Sequence, residues 1–561
     1  MIRRIHGRIA AAVLTLALAL AVPLAVAQPP GADFSTGLKA YGEGDFAAAR
    51  AQWEKTETGD GKNASMAHYR LGLMLVHGIG MNTEPDTGLA WLRKAADAGL
   101  ILAQLDLAEL LFKGTDLPRD YGEALKWSQA AAESGSALAR FYLGRHFDRG
   151  LGVGLDYHKA LAHFKFAAEK GVAKAQRRLG QYLMAGITVD ADPEEGLHWL
   201  ELAAMAGDGL AQYDVARRYN LGREVDQDLE KAKAFYLRAA EGGNGKAQHD
   251  LAMFHIKGLA GDKNLKEARF WLQRAAAGGI AQSQFQLGRL ELTELGHPLL
   301  MFEAFDWIAR SWRQNHAPSQ TLITKLAKDL PTRVQLNNLR GKIDADATSY
   351  CLLAYAISAW PDIDEHCAKM ANFGQIVAQH VMGRVNEFGL GRPKDLQKAL
   401  KWYRQAAVAG LPRAQNALGR MLMRGLGVER NAKRGAIWVR RAAEQGYPPA
   451  QFNLGFMHEK GLGVKKEAVA AANWYRRAAE RGHARAQFNL ASRYVTADGL
   501  IADMVQAYKW LLLAAIPQGV DSNEGGVVAG KARRSQRLLA AGLTPAQLAQ
   551  AKTEAVAFRP K

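Results

Sequence analysis

The chain has 561 residues, 48% of them hydrophobic, with a mean hydropathy of −0.20 and a net charge of +18. That length is far beyond one compact hydrophobic core, and its two cysteines are too few for a disulfide-built scaffold. The charge is uneven: residues 1–377 hold 43 Lys+Arg and 43 Asp+Glu, whereas 378–561 hold 30 against 12. Such an excess bears on the partners of the last third and not on its fold.

Residues 1–27 read as a signal peptide. Arg3, Arg4 and Arg8 precede an apolar run from Ile9 to Leu24, and Ala25-Val26-Ala27 then supplies a small-residue cleavage site. Cleavage after Ala27 predicts an exported, soluble protein, periplasmic or secreted. The run is short for a membrane span, and no transmembrane anchor is expected after cleavage. Gly37–Lys55, with Phe46 and Trp53 on its second helix, then looks like a tetratricopeptide-style opening unit within 28–63.

From residue 64 an alanine returns every 36 residues, at Ala67, Ala103, Ala139, Ala175, Ala211 and Ala247, with Ser283 next in phase. The beat resumes at Ala378, Ala414, Ala450 and Ala486. Leucine usually follows four places on and a small residue five places on, as in Leu143-Gly144. A fixed period of this size means stacked helical units rather than a closed globule. In the unit from Ala414, a short helix is expected to end near Gly425, with Gly425-Leu-Gly-Val428 as a turn. A second helix runs from about Lys433 through Trp438 to Ala442-Ala443 and stops at Gly446. Nine tryptophans share the phase of Trp438, four places before the alanine pair, and are read as filling the space between helices.

The step from Ser283 to Ala378 is 95 positions, so the phase breaks there. Within the break, Ser319-Gln320 and Leu330-Pro331 follow Trp307. The C-terminus repeats that order with Ser535-Gln536 and Leu543-Thr544-Pro545 after Trp510. Two arrays result: a first over 64–312, an internal cap and junction over 313–346, and a second, basic array over 347–516. Cap helices over 517–561 close the chain. One continuous superhelix with a decorated loop is the alternative. The second array opens with a shortened unit, 347–374. A disulfide between Cys351 and Cys367 would staple it, closing a loop of 16 positions and contributing about 3 kcal/mol.

These units resemble the Sel-one-like repeat (SLR) family, relatives of the tetratricopeptide repeats. The residues that carry the likeness are Ala450-Gln451-Phe-Asn-Leu454-Gly455, the turn Gly461-Leu-Gly463-Val464, and Trp474-Tyr-Arg-Arg-Ala478-Ala479-Glu-Arg-Gly482. The resemblance covers most of 64–516. It implies an all-α fold, a right-handed α/α superhelical solenoid, used as a protein-binding scaffold with the partner on its concave surface.

No nucleophile elbow, zinc helix or phosphate-loop spacing occurs, and the Gly-x-Gly pairs lack the strand-to-helix context of phosphate loops. No catalytic residue, cofactor or metal site is expected. The remaining candidates are electrostatic. Arg404, Arg440 and Arg476 are spaced by 36 on successive second helices, with Arg441 and Arg477 in a neighbouring column. Such a stripe fits an acidic protein or an anionic envelope polymer. A solvated, helix-favouring surface is the plainer reading. Export makes nucleic acid an unexpected partner. The function expected is a non-enzymatic scaffold or adaptor of the periplasm or cell envelope, in exopolysaccharide secretion, signalling or envelope assembly. A cell-wall or polysaccharide-modifying enzyme and a secreted host-interaction factor are the alternatives.

Overall fold

The computed structural model describes residues 32–42, 45–55, 62–79, 82–294, 298–324, 351–352, 354–356, 358–359, 363–516, 522–540, 542–558 and 560. The expected signal peptide, residues 1–27, and the expected junction at 343–346 lie outside them. The chain divides into two units, 1–247 with 259–261 and 248–258 with 262–561.

The first unit holds α1 (Ala32–Gly42), α2 (Phe46–Glu54), α3 (Lys62–His77), α4 (Pro85–Asp97), α5 (Ile101–Lys113), α6 (Tyr121–Glu133), α7 (Ala137–Arg149), α8 (Tyr157–Glu169), α9 (Ala173–Ala185), α10 (Pro193–Met205), α11 (Gly209–Leu221) and α12 (Leu229–Glu241). The division runs through α13 (Gly245–Lys257). The second unit continues with α14 (Leu265–Ala277), α15 (Ala281–Glu294), α16 (Pro298–Arg313), a π-helical turn at Ile363–Cys367, and α17 (Ala368–Asn372). Then come α18 (Ile376–Phe388), α19 (Leu396–Val408), α20 (Pro412–Arg424), α21 (Ala432–Glu444), α22 (Pro448–Lys460), α23 (Ala468–Glu480), α24 (Ala484–Thr496), α25 (Met504–Ala514), α26 (Ser522–Ala540) and α27 (Pro545–Ala557). Within each unit the helices pair and stack as an α/α solenoid of 36-residue repeats.

Local chemistry sets the boundaries of each repeat. The first helix α20 ends at Arg424 because Gly425 turns left-handed, φ 71°. Gly427, φ 66°, completes the turn, and a Cβ there would lie 2.7 Å from the Leu396 carbonyl oxygen of the preceding repeat. The second helix then starts on a polar cap: Asn431 accepts from the Arg434 amide. Asp120, Asp156, Asp192, Asp228, Asn264, Asp395 and Asp503 cap their helices in the same way. Asp192 is thus the cap of α10.

The residues of the 36-residue beat, from Ala67 to Ser283 and from Ala378 to Ala486, are all 0% exposed. Beside most of them sits a glutamine that ties its repeat to the one before; His68 follows Ala67 and Arg140 follows Ala139 instead. Gln104 Nε2 donates to the Ala96 carbonyl at 3.0 Å, and Gln212 to that of Ala204 at 3.0 Å. Gln176, Gln284, Gln415, Gln451 and Gln487 repeat the contact, each to the second alanine of the preceding pair, and Gln379 makes it to Ala371, which follows Met370.

The tryptophans pack differently from the expectation. Trp127, Trp271 and Trp510 are buried, but Trp91, Trp199, Trp307, Trp402, Trp438 and Trp474 are only half-buried. The space between paired helices is filled instead by the residue after the tryptophan position, such as Leu92, Phe164, Tyr403, Val439 or Tyr475. The small residue of the first helix admits it. A Cβ on Gly144 would lie 2.5 Å from Phe164 Cε1.

In the stretch where the phase breaks, Phe305, Ile308, Ile323, Leu352, Ile363, Val377 and Val381 share one core. Cys351 and Cys367 lie in it, joined by a disulfide with Cα atoms 5.5 Å apart. At the C-terminal end Thr544 and Gln547 form a capping box ahead of Pro545.

Two substitutions test this packing, read as shifts of the urea midpoint followed by circular dichroism. Gly144→Ala raises helix propensity, yet its added methyl meets the fully buried Phe164 ring, so a net loss of about 1–3 kcal/mol is expected. Gln212→Leu leaves the Ala204 carbonyl without its side-chain donor and is expected to cost about 1–3 kcal/mol.

Candidate functional site

The predicted arginines lie on the second helices of the second unit. Arg404, Arg440 and Arg476 each stand two residues after a tryptophan, on α19, α21 and α23, in one register. Arg404 and Arg440 are exposed. Arg476 is half-buried and reaches Asn473 Oδ1 at 3.4 Å and Tyr494 Oη at 3.5 Å. Arg441 and Arg477, one position on, lie over their own tryptophans, 4.8 Å from the Trp438 ring and 4.6 Å from Trp474. Lys94 over Trp91 and Arg310 over Trp307 repeat this, 4.5 and 4.8 Å away. A cation three residues after the aromatic lies one helical turn on and covers the half-exposed ring. Arg441 and Arg477 therefore cover the fold's aromatics while remaining exposed, as Arg404 and Arg440 are.

A second cationic cluster sits on the first helices. Arg384 of α18 and Arg413 and Arg420 of α20 surround the buried His380. Burial first, then these three charges, holds the His380 imidazole well below its usual value, so it is neutral. Arg413 pairs with Glu303 of α16, and its side chain is only 13% exposed. Arg420 binds the buried Glu387 at 2.6 Å, and Tyr403 Oη donates to the same carboxylate at 2.9 Å. Burial and the Glu387 charge push the Tyr403 phenol well above its ordinary range, which keeps it a donor.

This cluster leaves no periodic mark in the sequence. Arg384 and Arg420 are 36 apart, but the next residue in phase is Phe456, and Arg413 is matched by Val377 and Pro449. No column marks them; their convergence depends on how α16, α18 and α20 pack. Among the described residues, no group of three His, Cys, Asp or Glu side chains is placed to hold a metal. No described helix is long and apolar enough to cross a membrane.

The Sel1 repeat model matches ten segments: 65–100, 101–136, 137–172, 173–208, 209–244, 245–280, 376–411, 412–447, 448–483 and 484–516. The chain belongs to the Sel1 repeat family. The two blocks flank the stretch where the alanine phase breaks, as the two-array reading expects. Among solved structures, a Sel1 repeat protein from Oxalobacter formigenes is 30% identical, with 44% of this chain and 99% of that one covered and a TM-score of 0.39. The protective antigen c5321 of uropathogenic Escherichia coli, which displays an SLR fold, is 25% identical over 91% of this chain and 95% of that one, with a TM-score of 0.40. No curated protein matches the chain. Sel1 repeat proteins generally mediate protein–protein interactions, so binding surfaces are where this family's chemistry lies.

The first-helix side of the second unit also holds a pH-sensitive carboxyl. Glu291 is 2% exposed, and burial pushes its carboxyl up to about 7, although Arg269 approaches at 3.2 Å. A folded-state value above the unfolded one favours the protonated fold. Its contribution is full below the unfolded value near 4.5 and is lost as pH rises through about 7. Glu291→Gln, a permanently neutral isostere, is expected to match the parent's stability at pH 5. At pH 8 it should exceed the parent by about 1–3 kcal/mol in chemical denaturation.

Proposed function

We propose that the protein is an exported, non-enzymatic adaptor of the periplasm or cell envelope, acting in exopolysaccharide secretion, signalling or envelope assembly. Export rests on the basic start, apolar run and Ala-x-Ala site of residues 1–27. The adaptor role rests on the repeats themselves. Each packs its apolar residues inward on its neighbours and leaves two long faces of side chains for contact. A protein partner would lie on the concave surface of the solenoid.

The observation that carries the electrostatic part is the register of Arg404 and Arg440. Both are exposed, two residues after the tryptophan of adjacent second helices, in the part of the chain with 30 Lys+Arg against 12 Asp+Glu. With Arg476 they form a stripe for an acidic protein or an anionic envelope polymer, flanked by the tryptophan-bound Arg441 and Arg477. Rim charges of this kind act mainly on encounter rate and salt dependence.

The triple reversal Arg404→Glu, Arg440→Glu, Arg476→Glu should weaken capture of the envelope partner by about tenfold or more at low salt. It should also flatten the dependence of capture on salt, read in pull-downs from envelope fractions between low and high ionic strength. Capture and salt dependence equal to the parent's would remove the stripe from the binding surface.

A further inference from the structure

The arginines of the first helices do not end at the His380 cluster. Arg420 also lines a groove of about 400 Å³ with Met423, Arg424, Arg430, Phe456 and Leu462. The remaining lining residues, Ala432, Val439 and Asn453, add no carboxylate. Arg424 is exposed at one edge, and Arg430 Nε is anchored to the Met423 carbonyl at 3.2 Å, which fixes its stem beside the opening. The groove thus pairs an apolar floor with three guanidinium groups.

Arg384 extends this surface. Its Nε is buried without a hydrogen-bond partner, and no described carboxylate pairs with the side chain. The guanidinium lies 5.3 Å from the Tyr355 ring and 5.5 Å from that of Phe388. Arg420 lies 5.8 Å from the same Phe388 ring, which is 50% exposed, so both cations flank a feature that faces solvent. Five arginines, at 384, 413, 420, 424 and 430, are offset within this surface by Glu303, Glu387 and Asp306, the last of which is paired with Arg310 and also acts on Arg413. A guanidinium held largely out of water with no carboxylate beside it is costly; Arg384 as a whole is only half-buried, so a carboxylate from outside can meet the part of it that faces solvent and offset that cost.

We propose that α18, α20 and α22 form a docking groove for an acidic segment of a protein partner. The partner's carboxylates pair with Arg384, Arg424 and Arg430, and one of its apolar side chains enters between Met423, Phe456 and Leu462. Charge complementarity selects the acidic segment, and the apolar floor selects a peptide over a bare anion. This inference rests on the reading of the chain as a protein-binding scaffold and assigns that role to a face other than the Arg404 stripe.

The test uses the full-length mature chain and a fluorescein-labelled peptide of alternating glutamate and leucine, followed by anisotropy. The parent should bind this peptide, and bind its glutamine counterpart at least tenfold more weakly. Arg384→Gln and the surface change Arg424→Glu should each weaken binding about tenfold. The Arg404→Glu, Arg440→Glu, Arg476→Glu triple should bind as the parent does. Circular dichroism confirms that each variant is folded. No binding by the folded parent overturns the proposal. So does peptide binding that the stripe triple abolishes while Arg424→Glu leaves it intact; the scaffold reading would then stand and the groove would fall. Preferential binding of phosphatidylglycerol vesicles or inorganic phosphate over the peptide also overturns it.

Discussion

The structure depends on one repeated hydrogen bond, from a buried glutamine to a carbonyl of the helix before it. An α/α repeat cannot bury its apolar face alone, and each junction between repeats places helix-end carbonyls in a dry environment. A glutamine after most of the beat alanines supplies a donor there, as Gln104 does for Ala96 and Gln451 for Ala443. The alanine leaves room for the approach, and the alanine pair of the preceding helix presents the carbonyl. Ala67 and Ala139 stay small and fully buried where His68 and Arg140 replace the glutamine, so close packing at the junction also demands the small residue.

Much of the fold was legible because the constraint repeats. The beat alanines, the helix-stopping glycines such as Gly425, and the capping Asp and Asn residues recur at fixed offsets, so each copy corroborates the others. The tryptophans misled in a specific way. Their phase made them look like the filler between paired helices, but the filler is the next residue, which varies among Leu, Phe, Tyr and Val and so carries no signature. At Trp91, Trp271, Trp307, Trp438 and Trp474 a cation one turn on lies over the ring, as Arg441 does over Trp438. The same offset gave Arg441 and Arg477 the appearance of a binding column. Arg384, Arg413 and Arg420 escaped notice for the opposite reason. They converge through packing, and sequence spacing records only what is periodic.

The two basic faces are physically different. On the second helices, Arg404 and Arg440 are solvated, and their charges are screened beyond about 8 Å at physiological salt, which suits steering. On the first helices, arginines are partly removed from water and held by Glu303, Glu387 and aromatic rings. A charge in such a setting interacts strongly with an added anion and weakly with bulk salt. Under the proposed reading, the exposed face would attract an acidic partner from a distance and the first-helix face would hold it at close range, both within the arginine-rich last third of the chain.

The central claim is that the partner's acidic segment seats in the groove beside Phe456, and photo-crosslinking from that position tests it most directly. A benzophenone-bearing amino acid is placed at Phe456, or as control at Phe166 of the first array; the two native rings are 38% and 40% exposed. Each full-length protein is irradiated with the alternating glutamate–leucine peptide. The account predicts a crosslinked adduct from position 456, competed away by excess unlabelled peptide, and none above background from 166. Equal yields from both positions, or an adduct from 166 alone, would contradict it.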